Sequence, residues 1–298
     1  MKFRIMRSVL MVPVNVRRFV EKACLRGADV IVLDLEDSIP AAQKVEGRSM
    51  LENAISVAGR GAAQLMVRVN NEASLLEADV EAAICKRLDA LFIPKVESAQ
   101  QLVRLDHLTK EVEAEKGLEI GKIKFSIHIE SPLGLLRLDE IAQSSPRIES
   151  MSIGVDDYCA ALGINLTQDA SALFFPMSQL VITAKAFGII PFGVLGSVAE
   201  FSDLHVFEAS ALRARDLGSE GSICVHPDQV AILNRVFSPP EESVSQARKI
   251  VVAFEDAVQR GRASTSLDGR AVDTPIYKHA LATIERVEAI TKFDQAKA

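Results

Sequence analysis

The stretch "VIVLDLEDSIP", residues 30–40, opens as an unbroken apolar run and then places three acids, Asp34, Glu36 and Asp37, within four positions. A short run rich in β-branched residues and stopped by a proline reads as a strand buried on both faces. Its acids then fall where the buried chain emerges. Taken singly, Asp37 before "SIPAAQK" suits a helix cap equally well, so this stretch alone leaves two readings open.

The same pattern of apolar run, polar end and longer amphipathic segment recurs along the chain. The runs are "SVLMV" (8–12), "VIVLDL" (30–35), "LMVRV" (65–69), "ALFI" (90–93), "KFSIHI" (124–129), "ESMSI" (149–153), "GIIPF" (188–192) and "SICV" (222–225). Helical stretches lie between them. "NVRRFVEKACLRGA" ends near Gly27, and "SAQQLVRLDHLTKEVEAEKG" opens at a Ser cap and closes at Gly117. Strands alternating with helices imply parallel pairing, and eight such units predict an α/β fold of the (β/α)8 TIM-barrel kind. The seventh strand carries the weakest signal, because Pro191 cannot donate to a ladder. We place the barrel at residues 1–237 and a C-terminal helical lid extension at 238–298, beginning before the amphipathic "QARKIVVAFEDAVQRG".

Composition narrows the function classes. A chain of 298 residues, 48% apolar and 25% charged, is expected to be a globular protein of enzyme size. Its net charge of -6 and the lack of a basic run argue against nucleic acid as a partner. Cys24, Cys85, Cys159 and Cys224 have no paired spacing, which predicts reduced thiols rather than a zinc site or disulfides. No apolar stretch approaches a membrane span or a usual signal segment, so the expectation is a cytoplasmic protein with no membrane partner.

In a barrel of this type the catalytic groups come from the carboxyl ends of the strands. Those ends carry Glu36 and Asp37, Arg68 and Asn70, Lys95, Glu130, Asp156 and Asp157, and His226. Acids from different strands with cations beside them suit a hard divalent ion and an anionic substrate together. Mg²⁺ takes oxygen ligands and commonly only one or two carboxylates, roles that Glu130 and Asp157 fit. Arg68 would neutralise the oxyanion that develops on a metal-polarised carbonyl.

The blocks "RSVLMVP", "ADVIVLDLEDSIP", "VRVN", "IPKVES", "IESPLGLL", "SIGVDDYCAALG", "AKAFGI", "VHPDQVAILNRVFSP" and "LDGRAVDTP" run in order from about residue 7 to about residue 280. In order and spacing they resemble the citrate lyase β-subunit-like family, within the HpcH/HpaI-type aldolases that include malyl-CoA and citramalyl-CoA lyases. The resemblance implies a carbon–carbon lyase using Mg²⁺, with Mn²⁺ as a substitute, that acts on a 3-hydroxyacyl thioester such as malyl-, citramalyl- or citryl-CoA. Its partners would be an acyl-CoA or acyl-carrier thioester and a 2-oxo acid. By resemblance Glu130 and Asp157 are metal ligands, and Arg68 is both substrate-binding and catalytic. Glu36 and Asp37 hold metal-bound waters on the substrate side, Pro132 belongs to the substrate pocket, and Asp273 is the acid/base. In the lyases that acid lies on a C-terminal lid and reaches a neighbouring subunit of a homotrimer or hexamer.

Departures from the family pattern point to an altered substrate pocket. Val14 follows Pro13 where glycine is common, Ser131-Pro132 replaces Thr-Ala, and Ser222 stands where a lysine often precedes the histidine-proline block. His128 shares a strand face with Ser126 and Glu130, as an interior histidine or as a group that orients Glu130. Two alternatives stay open. A pyruvate-type aldolase using a free aldehyde would need a histidine base near the first strand, yet no histidine precedes His107. A non-catalytic thioester-binding subunit would have no need of Asp273.

Overall fold

All eight apolar runs form strands in the computed structural model, which describes residues 4–297. They are β1 (Ser8–Pro13), β2 (Val30–Asp34), β3 (Gln64–Arg68), β4 (Ala90–Ile93), β5 (Lys124–Ile129), β6 (Ile148–Ile153), β7 (Ile190–Phe192) and β8 (Ser222–Cys224). Each pairs in parallel with the next as far as β7, and β8 returns to pair with β1. The seam between β7 and β8 is spanned by two backbone bonds of 2.8 Å, Gly193 N–H to Gly221 O and Glu220 N–H to Pro191 O. Pro191 is tolerated there because it serves through its carbonyl, the one backbone group a proline retains. The result is the expected (β/α)8 TIM barrel.

Alternation along the strands fills the interior. Val9, Val30, Val32, Met66, Phe92, Phe192 and Ile223 form one buried cluster, to which β5 and β6 add Ser126, His128, Ser150 and Ser152. The helices follow local rules. Helix Ala99–Glu115 starts at a Ser98–Gln101 capping box, and Gly117, at φ 64°, takes the left-handed conformation that ends it. At the amino ends of the strands the charges form closed pairs. Asp29 holds Arg7 at 2.8 Å, while Asp106 and Glu113 hold Arg147 at 2.5 and 2.7 Å. These buried pairs are structural, and removing one partner of such a pair costs about 3–5 kcal/mol.

Residues 6–236 form one compact unit, and residues 237–297 with 4–5 form another. The second contains helix Glu241–Gln259, a hairpin of β9 (Thr265–Leu267) and β10 (Arg270–Val272), and helix Thr274–Lys297. The hairpin turns on Asp268 and Gly269, both at positive φ as a two-residue turn requires. Phe254 stacks on Tyr277 at 4.6 Å, joining the two helices of that unit. Among the described residues no helix is long and apolar enough to cross a membrane.

Candidate active site

The site begins where β2 ends. Asp34 accepts the backbone N–H of Glu36 through Oδ1 at 2.9 Å and that of Ser38 through Oδ2 at 3.2 Å, which bends the chain as it leaves the barrel. Its register partner on β3 is Arg68. The guanidinium binds Asp34 in parallel, Nε to Oδ1 at 2.6 Å and Nη2 to Oδ2 at 2.7 Å. Arg68 Nη1 then reaches Glu36 at 3.1 Å and Asp37 at 3.4 Å. From the end of β4, Lys95 places its amine on Glu36 Oε1 and, at 3.3 Å, on Asp37 Oδ1. Its backbone sits at φ 54°, a conformation costly for a lysine and found chiefly where the surroundings impose it.

Three acids and two cations so arranged titrate unevenly. Burial, reinforced by Asp37 alongside, pushes the Glu36 carboxyl up to about 7. Burial also opposes ionisation of Asp34 and Asp37. There the Arg68 bonds prevail for Asp34, and the contacts with Glu36, Arg68 and Lys95 prevail for Asp37, holding both carboxyls below their ordinary value. Both cations are held protonated against their own desolvation by the acids around them.

Glu130 follows β5 and is 5% exposed. Its Oε1 lies 3.0 Å from His128 Nδ1, and its Oε2 is buried without a partner. Gly154, after β6, leaves the room it occupies, since a Cβ there would stand 2.5 Å from Glu130 Cγ. Asp157 occupies the first turn of helix Val155–Leu162. Partial desolvation, then the charges of Glu130 and Asp37, push its carboxyl up. Glu130 and Asp157 thus line one cavity, close enough for the charge of one to act on the other, and Glu130 has an unused buried oxygen. That donor set fits a divalent oxophilic ion such as Mg²⁺. Among the described residues no three His, Cys, Asp or Glu side chains gather as a metal-holding group, so this pair is the candidate.

A cavity of about 660 Å³ opens here, with Asp34, Asp37, Arg68, His128, Glu130 and Asp157 among its lining residues. Several residues expected at the site stand elsewhere. Glu36 lies behind the cavity wall, held by Arg68 and Lys95. Pro132 opens helix Pro132–Leu136 and does not line the cavity. Asn70 turns away to Asp79, at 2.6 Å. His226 does line the rim, stacked on Phe201 at 5.2 Å, and Asp156 accepts a bond from Ser197 at 2.9 Å. Asp273 belongs to the other unit, where its Oδ1 accepts the Ile276 N–H at 3.3 Å as a cap of the last helix. Asp34, which lines the cavity and holds Arg68, is the residue that sequence reasoning passed over. Its signal is a carboxylate in register with Arg68, visible only once β2 and β3 are paired.

Comparison with known proteins places the chain in a family and matches its fold. Residues 7–227 match the family described as HpcH/HpaI aldolase/citrate lyase. The chain is 34% identical over 292 residues to an L-malyl-CoA/beta-methylmalyl-CoA lyase of Cereibacter sphaeroides, with 91% of each chain covered. A citrate lyase subunit beta of Leuconostoc mesenteroides is 28% identical over 287 residues, covering 96% of this chain and 94% of its own. In fold the chain matches the CitE protein of Mycobacterium tuberculosis in complex with magnesium, acetoacetate and coenzyme A. The TM-score is 0.74 at 24% identity, with 94% of this chain and 97% of that one covered.

Proposed function

Because this chain belongs to the HpcH/HpaI aldolase/citrate lyase family, we propose that it is a Mg²⁺-dependent carbon–carbon lyase acting on a 3-hydroxyacyl thioester. Cleavage yields an acyl thioester and a 2-oxo acid, and the reverse reaction joins them. The observation that carries this reading is the pairing of Glu130 and Asp157 beside Arg68 in one cavity, with Glu130 Oε2 buried and unpartnered. Glu130 and Asp157 would hold the ion, and Mn²⁺ would fit the same oxygens. When bound, the ion supplies Lewis-acid polarisation of the substrate's carbonyl or hydroxyl oxygen.

The chain's own residues supply the rest. Asp34 fixes one edge of the Arg68 guanidinium, through Nε and Nη2, which leaves Nη1, with its longer contacts, to meet the oxo-acid carboxylate or developing oxyanion. Asp37, on the cavity wall, orders water around the ion and Glu36 braces Arg68 and Lys95 behind it, while Pro132, two residues after Glu130, limits how the chain beside it can move. Phe19, Lys22 and Arg26 line the same cavity and offer an aromatic face and two cations to the anionic arm of a CoA or carrier thioester. In cleavage the substrate hydroxyl gives its proton to solvent water and becomes the carbonyl of the oxo acid as the C–C bond breaks, and the electron pair of that bond forms a thioester enolate that is then protonated. We assign that protonation to Asp273 of a neighbouring copy in a trimer or hexamer.

The test is a screen of malyl-, citramalyl- and citryl-CoA for 2-oxo acid release with Mg²⁺ and with chelator. Magnesium-dependent release from at least one of them is expected. No release from any of the three would sink the reading.

A further inference from the structure

Lys95 stands just after β4 with φ 54°, one of three residues other than glycine at positive φ among those described. Its carbonyl accepts the Asn71 side-chain N–H at 2.9 Å, and the N–H of the next residue, Val96, donates to His128 O at 3.0 Å, so the backbone is pinned on both sides. Glycine takes this conformation without steric cost, and a lysine there points to a task for its amine. That amine has two acids as partners. Arg68 Nη1 lies 3.1 Å from Glu36 Oε2 and 3.4 Å from Asp37 Oδ2. Lys95 Nζ takes the opposite oxygens, Oε1 of Glu36 and, at 3.3 Å, Oδ1 of Asp37. The two cations therefore share both carboxylates, one oxygen each. Arg68 and Asp37 line the cavity, while Glu36 and Lys95 stand outside its lining.

This division bears on the one nitrogen of Arg68 that Asp34 does not engage. Nε and Nη2 are held by Asp34, so an anion entering the cavity meets Nη1, in competition with Glu36 and Asp37. Two acids left to that single nitrogen would close on it and repel a further anion. A cation on their far oxygens offsets the charge and keeps both acids seated once Nη1 turns to the substrate. An ammonium on a flexible stem suits this, because it carries three donors and can follow the carboxylates as their contacts to Arg68 lengthen. We propose that Lys95 is a positioning residue for substrate binding: it holds Glu36 and Asp37 so that Arg68 Nη1 can pass from them to the carboxylate of a 2-oxo acid. This inference rests on the lyase reading above.

The test is calorimetric titration of the full-length, Mg²⁺-loaded protein with pyruvate. Lys95→Met removes the charge and should weaken pyruvate binding about tenfold, whereas Lys95→Arg should stay within about threefold of the wild type. Lys95→Gly relieves the backbone and should bind no better than Lys95→Met, since the amine and not the backbone is at issue. The half-exposed side chain makes these substitutions compatible with folding. The decisive comparison is made on Asp37→Asn, which removes the charge of the acid that lines the cavity and should itself keep pyruvate binding. With that competitor gone, Lys95→Met should weaken binding about threefold or less, a non-additivity that a merely structural lysine does not produce. Wild-type binding by Lys95→Met, recovery in Lys95→Gly, equal losses in the two backgrounds, or loss of binding by Asp37→Asn alone would overturn the role of Lys95 while leaving the lyase reading intact. Failure of the wild type to bind pyruvate in the presence of Mg²⁺ would overturn both.

Discussion

Arg68 meets Asp34 with two near-parallel hydrogen bonds, at 2.6 and 2.7 Å, from directly opposed positions on adjacent strands. A planar fork matched to a carboxylate fixes the direction of the third nitrogen, Nη1, which an ammonium on a flexible stem cannot do. Arg68→Lys should therefore lose on the order of 10²–10³ in turnover although the charge is kept. Asp34→Asn should lower stability by about 3 kcal/mol, as for a broken buried pair, and also reduce kcat. Near-wild-type turnover of Arg68→Lys would make the pair a structural rim contact.

Glu36 sets a pH dependence whose sign follows from its raised carboxyl. The folded chain retains on Glu36, up to about 7, a proton that the unfolded chain releases near 4.5. Between those values the folded state binds more protons, so this contribution to stability is full below the unfolded value and is lost as the pH rises through about 7. Melting temperatures measured in chelator from about pH 5 to about pH 8 should fall less steeply in Glu36→Gln than in the wild type. An identical slope would mean that Glu36 ionises normally.

Gly154 places no side chain against Glu130, and a Cβ there would meet Cγ at 2.5 Å and Cδ at 3.1 Å. Gly154→Ala should displace the carboxylate and weaken Mg²⁺ binding by about 10–100-fold, the usual cost of disturbing a ligand's support. Calorimetric Mg²⁺ titration reads this directly, and unchanged affinity would show that the Glu130 position does not matter to the ion.

Asp273 allows its two roles to be separated, because asparagine caps a helix as well as aspartate does. Asp273→Asn should keep the melting temperature, since the Ile276 cap survives, while turnover falls by roughly 10²–10⁴. Mixed with inactive Arg68→Ala chains, it should recover activity if the acid reaches a neighbouring copy. Verified subunit exchange without any recovery would refute the shared site.

The barrel was legible because a fully buried strand leaves an apolar run that loops and amphipathic helices do not imitate. β7 was the weakest of these, and the structure shows why it survives: Pro191 is used only as an acceptor. Glu130, Asp157 and Arg68 could be read as a group because each stands at or just after the carboxyl end of a strand on the same rim. Asp34 could not, since a carboxylate at the end of an apolar run looks like the strand's terminus until β3 is laid beside it. Asn70 and Glu36 show the converse. Both leave their strands at the correct end, but Asn70 is drawn to Asp79 and Glu36 to Arg68 and Lys95, contacts that strand position alone does not foretell.

The claim that Glu130 and Asp157 hold the ion on which carbon–carbon cleavage depends is tested most directly by titrating Mg²⁺ against 2-oxo acid release. Wild type, Glu130→Gln and Asp157→Asn would be compared on the thioester that the wild type cleaves. The account predicts saturable activation of the wild type and no turnover by either variant at any ordinary Mg²⁺ concentration, with circular dichroism unchanged. Wild-type turnover by either variant, or by the wild type in excess chelator, would contradict it.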